Sequence, residues 1–243
     1  MFFYESSAYE KWCEKVYGKA LNQSGMLTYK ELQLMFKYIK LNPNSLILDV
    51  GCGLGGITNE IAENYLSKVI GIDIDENMIN YAKKIYHNRT DLEFNLTDAT
   101  YIQNETNKYD LICLIDTIYF SSTSDLVFQF LDNCLKALKP DGKIAIFSSY
   151  VPDNSLNISP LDYNAEIKKW SNSKSIDVES ICLSEDFRFF WPNAFNVCLE
   201  LSSIMKNEIP EAYEKLLLKC SAFSDLCRMQ SQDISRWLNI ITR

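Results

Sequence analysis

A chain of 243 residues with 47% apolar and 23% charged residues has the composition of an ordinary folded domain with room for a sizeable core. Its formal charge of −8 argues against nucleic acid, whose binding rests on Lys and Arg meeting phosphates. No apolar run approaches the roughly 18 residues of a membrane helix, and no basic-then-apolar start marks a secretory signal.

Residues 1–45 read as helical. An amphipathic stretch covers Ala8–Leu21, and the capping-box pattern Thr28-x-x-Glu31 opens a second helix over Tyr29–Leu41. Asn42-Pro43-Asn44 breaks it ahead of an apolar strand, Leu46–Val50. Four of the eight glycines then fall within residues 51–56, and a helix follows over Ile57–Tyr65. Glycine reaches positive φ at no steric cost, and its missing Cβ lets a ligand approach the backbone.

Strand and helix patterns alternate from there. Strand Lys68–Ile74 leads to helix Glu76–Tyr86, and a short strand Leu92–Asn95 leads to Thr97-Asp98-Ala99. Strand Tyr109–Ile115 is almost wholly apolar, as a strand covered on both faces is. Helix Leu126–Leu138 ends in a turn at Lys139-Pro-Asp-Gly142, and strand Lys143–Ser149 follows. Such alternation implies a mostly parallel sheet with helices on both faces. After Tyr150 glycine disappears and aromatics cluster at Phe187–Trp191. Pro210–Cys227 reads as a helix, with late strands at Ile176–Leu183 and Trp237–Ile241. The division is a helical N-terminal lid (1–45), a core (46–150), and a mainly helical C-terminal cap with the remaining strands (151–243), all in one structural domain.

Ligands of open α/β sheets bind at the carboxyl ends of the strands. Four strand ends here carry an acid: Asp49, Asp73, Asp98 and Asp116. Asp73 is placed to accept hydrogen bonds from ribose hydroxyls. The glycine turn satisfies the dehydrogenase pattern Gly51-x-Gly53-x-x-Gly56, and also Asp-x-Gly-x-Gly-x-Gly from Asp49 to Gly55. An acid two places before the first glycine repels a pyrophosphate but attracts a sulfonium and an α-ammonium.

These segments resemble class I S-adenosyl-L-methionine (AdoMet) methyltransferases, through Leu48–Gly56, Gly71-Ile-Asp73, Asp98-Ala99, Tyr109–Ile112 and Leu138–Gly142. The resemblance implies a Rossmann-like seven-stranded sheet and AdoMet as cofactor, with S-adenosyl-L-homocysteine as product. It implies that Asp73 and Ile74 meet the ribose side and that Asp98 and Ala99 read the adenine. The turn Asp49, Gly51, Cys52, Gly53 would face the methionine part. Tyr17-Gly18 to Ser24-Gly25 and the terminal Arg236-Trp237 are similar to phosphoethanolamine and sarcosine-type N-methyltransferases, which puts Gln23 and Ser24 beside the methionine part. That group pairs an Asp with a His four residues on. Here Asp116 is kept, but Phe120 stands at the second position.

The expected activity is methyl transfer to a small-molecule acceptor, at an amine nitrogen before oxygen or carbon. Asp116 is the candidate proton acceptor, also counted among the cofactor contacts, with Tyr17 and Tyr119 beside it. Tyr9, Phe120, Tyr150, Arg188 and Trp191 are the candidate acceptor contacts, Arg188 as the grip on an anion. The alternatives are a catalytically impaired AdoMet-binding partner, a protein methyltransferase and a nicotinamide-dependent dehydrogenase. The eight cysteines have no C-x-x-C pair and the chain has one histidine, so no metal site is expected. Reduced thiols suit a cytoplasmic monomer or homodimer without membrane or nucleic-acid partners.

Overall fold

The computed structural model describes residues 3–23, 25–151, 161–229 and 233–243. Ser24 lies outside the described residues. Helices α1 (Ser7–Tyr17) and α2 (Tyr29–Tyr38) precede strand β1 (Leu46–Val50). There follow α3 (Gly56–Tyr65), β2 (Lys68–Asp73), α4 (Glu76–Ile85), β3 (Leu92–Leu96), β4 (Tyr109–Ile115), α5 (Ser124–Ala137) and β5 (Leu138–Tyr150). The last part holds α6 (Tyr163–Lys174), β6 (Val178–Cys182), α7 (Ser184–Glu200), α8 (Ser202–Glu208), α9 (Pro210–Met229) and β7 (Ser235–Thr242).

The seven strands form one sheet in the order β3-β2-β1-β4-β5-β7-β6. The first five are parallel, and β7 runs antiparallel to both β5 and β6. Chain direction across the sheet reverses at β1 and β4, so their carboxyl ends open the crevice where ligands of such sheets bind.

Alternating strand residues build the two faces. Ile47, Val69, Leu111 and Cys113 pack with Leu32 and Met35 of α2, Ile39 just beyond it, and Ile61 of α3. Leu48, Val50, Ile112 and Leu114 pack with Val127, Phe130 and Leu131 of α5 and with Ile167 and Trp170 of α6. A third cluster joins α1 (Tyr9, Trp12, Cys13, Tyr17) to α7, α8 and α9 through Trp191, Cys198, Met205 and Cys220. Within residues 1–45, therefore, α1 belongs to the cap cluster and α2 to the helical layer of the sheet.

Several local expectations change. Lys139–Gly142 is not a turn between elements. It lies inside β5, where pairing jumps from Tyr109↔Leu138 to Leu111↔Lys143, and Asp141 takes a positive φ of 63° to absorb the extra residues. α1 stops at Tyr17 because Gly18, at φ 84°, caps it in the left-handed conformation. α7 runs through Pro192, so the aromatics Phe187–Trp191 lie on a helix.

Candidate active site

The glycine turn is built as its sequence demands. Gly51, Gly53 and Gly55 all have positive φ, at 75°, 53° and 83°. At Gly51 the constraint is steric as well, because a Cβ would stand 2.3 Å from Thr117 Oγ1. Gly53 differs: nothing lies within 4 Å of where its Cβ would be. Its amide donates to Asp73 Oδ2 at 2.8 Å, which ties the turn to the tip of β2. Beyond Asp73, Ile74 is 73% exposed, and Asp98 is exposed while capping the 3₁₀ turn at Ala99. The Thr100 hydroxyl and amide hold the Asp98 carboxyl below its ordinary value.

Asp49 lies beneath the turn, buried, with one hydrogen bond from Thr58 Oγ1 at 2.7 Å. Burial pushes its carboxyl up to about 6. A cation arriving above it would restore the ionised form.

A strap formed by residues 21–23 and 25–27 spans this crevice from Gly56 to Asp116. Leu21 O sits against Gly56 so closely that a Cβ there would overlap it. Tyr9 donates its hydroxyl to Gln23 O at 2.7 Å, and Tyr17 donates to Gly25 O at 3.0 Å. Gln23 Nε2 donates to Leu27 O, while its buried Oε1 has no partner among the described residues. An unpaired buried acceptor suits a ligand that carries a donor.

Asp116 meets the strap from the other side, and here the expected role gives way. Its Oδ1 accepts from Arg236 Nη1 at 2.7 Å and from the Tyr119 hydroxyl at 3.2 Å. Its Oδ2 accepts from the Met26 amide at 2.8 Å and from Arg236 Nη2 at 3.2 Å. A carboxylate engaged by four donors beside a permanent cation is not poised to take a proton from an acceptor. Tyr119 is engaged in the same way, donating to Asp116 and accepting from the Ser149 amide at 2.8 Å. Burial raises the hydroxyl pKa of both Tyr119 and Tyr17. Of the three residues expected to be catalytic, Asp116 thus fastens the strap to the sheet, Tyr17 fastens it to α1, and Tyr119 braces Asp116 against β5.

Among the expected acceptor contacts, Tyr9 and Trp191 line one cavity together with Tyr17. Phe120 does not join them; its half-exposed ring packs edge-on against Phe130. Arg188 lines a different groove, with Glu185, Pro192 and Arg228, so it is not the grip on an anion in that cavity. Tyr150 ends β5 opposite Ser235.

The sequence singled out Arg236 only as part of a resemblance and gave it no role in the site. It is fully buried in β7 and also bonds Glu31 Oε1 and Ser149 Oγ, at 2.7 and 2.8 Å. The signal was there: an ionised residue heading the apolar strand Trp237–Ile241.

Residues 47–142 match the family model described as a methyltransferase domain. Those residues are a methyltransferase domain. Its relatives include phosphoethanolamine N-methyltransferase 3 of Arabidopsis thaliana, 34% identical over 145 residues, 59% of this chain and 28% of that protein. Phosphoethanolamine N-methyltransferase of Plasmodium falciparum is 28% identical over 219 residues, covering 84% of this chain and 77% of that one. The chain spans about a third or less of the plant relatives' length, 28% and 34% for the two from Arabidopsis thaliana. Among solved structures, phosphoethanolamine N-methyltransferase 2 of Haemonchus contortus, in complex with phosphomonomethylethanolamine and S-adenosylhomocysteine, superposes with a TM-score of 0.75. It is 18% identical, with 99% of this chain and 59% of that one covered. A cyclopropane synthase from Mycobacterium tuberculosis gives a TM-score of 0.75 at 15% identity, with 99% and 95% covered. Both share the methyltransferase fold with this chain.

Proposed function

We propose that the chain transfers a methyl group from AdoMet to a small-molecule acceptor, with an amine nitrogen as the methylated atom. The observation that carries this reading is the open space above Gly53, between an acid beneath the turn and acids at neighbouring strand tips. When bound there, AdoMet supplies a methyl on a sulfonium, which an amine lone pair takes as the carbon–sulfur electron pair returns to sulfur.

Asp49 sits under the turn, where an α-ammonium and sulfonium offset the cost of ionising it. The Gly51–Gly53 backbone faces the methionine part, and Gln23 Oε1 offers it a free acceptor. Asp73 has lone pairs left for ribose hydroxyls, with Ile74 beneath the sugar and base. Asp98 and the Ala99 amide are assigned to the adenine. Ser24 keeps its expected place beside the methionine part on the resemblance alone. The strap, fastened by Tyr9, Tyr17 and Asp116, excludes water from the reacting methyl and aligns the acceptor. Asp49 disfavours a dinucleotide pyrophosphate at the same turn. In this reading α1 and the strap close the site, and the cap helices hold the acceptor.

No described helix is long and apolar enough to cross a membrane. With a charge of −8 and eight cysteines, all free, we place the protein in the cytoplasm, acting on a small molecule as a monomer or homodimer without nucleic acid. Calorimetry with S-adenosylhomocysteine, followed by transfer of labelled methyl from AdoMet to a panel of amines, tests the assignment. Micromolar binding and labelled product support it; no binding of the homocysteine derivative ends it.

A further inference from the structure

Behind the strap, between α1, α7 and α9, lies a cavity of about 600 Å³. That is within the range of roughly 300–1,000 Å³ typical of small-molecule sites. Tyr9, Trp12, Tyr17 and Trp191 form an aromatic wall, continued by Ile209 and Leu216.

The polar groups of the wall are unbalanced. Lys219 holds its ammonium 5.4 Å from the centroid of the Trp191 ring and makes no ion pair with any described residue. Lys215 adds a second ammonium at the mouth. The indole N–H of Trp191, a residue only 4% exposed, has no partner among the described residues. The two acids at the rim do not fill these needs. Glu208 accepts from Ser7 Oγ at 2.9 Å and from the Ala8 amide at 3.0 Å, at the start of α1, and Glu211 is exposed. The orphaned buried donor of Trp191, with the ammonium of the exposed Lys219 over the same ring, suits an acceptor brought by a ligand.

The cavity also backs onto the proposed methyl site. Two of its wall residues, Tyr9 and Tyr17, hold the strap by the carbonyls of Gln23 and Gly25. Gly25 in turn packs on Asp116, where a Cβ would stand 3.2 Å from Oδ2.

We propose that this cavity holds the methyl acceptor, and that the acceptor is an aryl or alkyl acid that also carries the amine to be methylated. Its apolar body lies on the aromatic wall, and its one anionic group is met by Lys219 and the Trp191 indole N–H. The proposal rests on the methyltransferase reading. A two-carbon phosphobase has no apolar body to cover such a wall, so the cavity favours a larger and less polar molecule.

Two of the chain's four tryptophans line the cavity, so intrinsic fluorescence reports on its filling. Phenylbutyrate, phenylbutanol and phosphoethanolamine serve as probes, titrated with S-adenosylhomocysteine present. Phenylbutyrate should bind about tenfold more tightly than the neutral alcohol. Lys219→Met should erase that difference while the alcohol still binds. Trp191→Phe keeps an aromatic ring and removes only the donor, so it should weaken the acid and spare the alcohol. Equal affinity for acid and alcohol overturns the anionic group, and tighter binding of phosphoethanolamine overturns the apolar body. Binding of phenylbutyrate without any binding of S-adenosylhomocysteine removes the acceptor role together with the methyltransferase reading. Homocysteine-derivative binding with both phenyl probes ignored removes this inference and leaves that reading standing.

Discussion

Arg236 Nη1 lies 2.7 Å from Asp116 Oδ1 although the two residues are 120 positions apart in the chain. The guanidinium is wholly buried, and its Nε reaches Glu31 at 2.7 Å. One cation thus joins the start of α2, the tip of β4 and the start of β7. Asp116 relays the connection to the strap through the Met26 amide. Asp116 itself takes a positive φ of 52°, a strained conformation for a residue with a side chain, and the surrounding bonds hold it there.

Removing the cation leaves two carboxylates without their partner. Arg236→Met should cost about 3–5 kcal/mol, as loss of one member of a buried ion pair does. Combining it with Asp116→Asn should cost less than the sum of the two single changes, because the second removes a charge that the first has stranded. Urea denaturation of the four proteins checks this; strict additivity would show that the two residues are not coupled.

Gly51 and Gly53 have similar backbones but different surroundings, and their alanine variants should separate stability from binding. Gly53→Ala should lose about 1–2 kcal/mol to its left-handed conformation and stay folded. Its affinity for S-adenosylhomocysteine should fall about tenfold or more, since the new methyl fills the open space. Gly51→Ala adds a collision with Thr117 and should lose more than about 3 kcal/mol. Thermal melts paired with calorimetry read both effects. Unchanged affinity in Gly53→Ala would place the cofactor elsewhere.

Asp73 has two tasks in this reading: it accepts from the Gly53 amide and is assigned the ribose. Asp73→Ala should weaken binding of S-adenosylhomocysteine by about 1–3 kcal/mol. Binding of homocysteine alone, which has no sugar, should change far less. An equal loss for both ligands would reduce Asp73 to a support of the turn.

Stability should depend on pH through Asp49 in the sense opposite to a salt-bridged carboxylate. Burial moves its pKa from 3.8 up to about 6, so between those values the folded chain keeps a proton that the unfolded chain has lost. Folding therefore takes up a proton, and stability falls as pH rises through this window, by about 3 kcal/mol at most. Asp49→Asn should flatten that slope and leave the protein more stable than its parent at neutral pH, yet weaker in binding AdoMet. Urea midpoints at about pH 4.5 and 7.5 decide it; identical slopes in both proteins would mean that Asp49 is ionised throughout.

The sheet was legible because its signals are local. An apolar run, four glycines and a helical pattern write β1, the turn and α3 into consecutive residues, and acids mark the strand tips. The positive φ of the glycine turn and the acids at the strand tips shared that legibility. The roles of Asp116, Tyr17 and Tyr119 did not, because their partners at 25, 26, 149 and 236 come from distant segments with no common spacing. α8 escaped notice for another reason: seven residues make too short a periodic pattern to register. The Lys139–Gly142 stretch has the composition of a turn, and only its pairing with β4 shows it as an irregular start to β5.

The reversed direction of β7 has a consequence for how the molecule is assembled. Because this strand enters the sheet at the rim where the parallel strands end, its first residues are the ones that reach back to Glu31, 205 positions earlier. During synthesis, the amino-terminal helices and the five parallel strands leave the ribosome while β5 is still an open edge and Glu31 and Asp116 still lack their counter-charge. Arrival of β7 closes both gaps in one step, so the binding crevice acquires its roof only after the other six strands have been made.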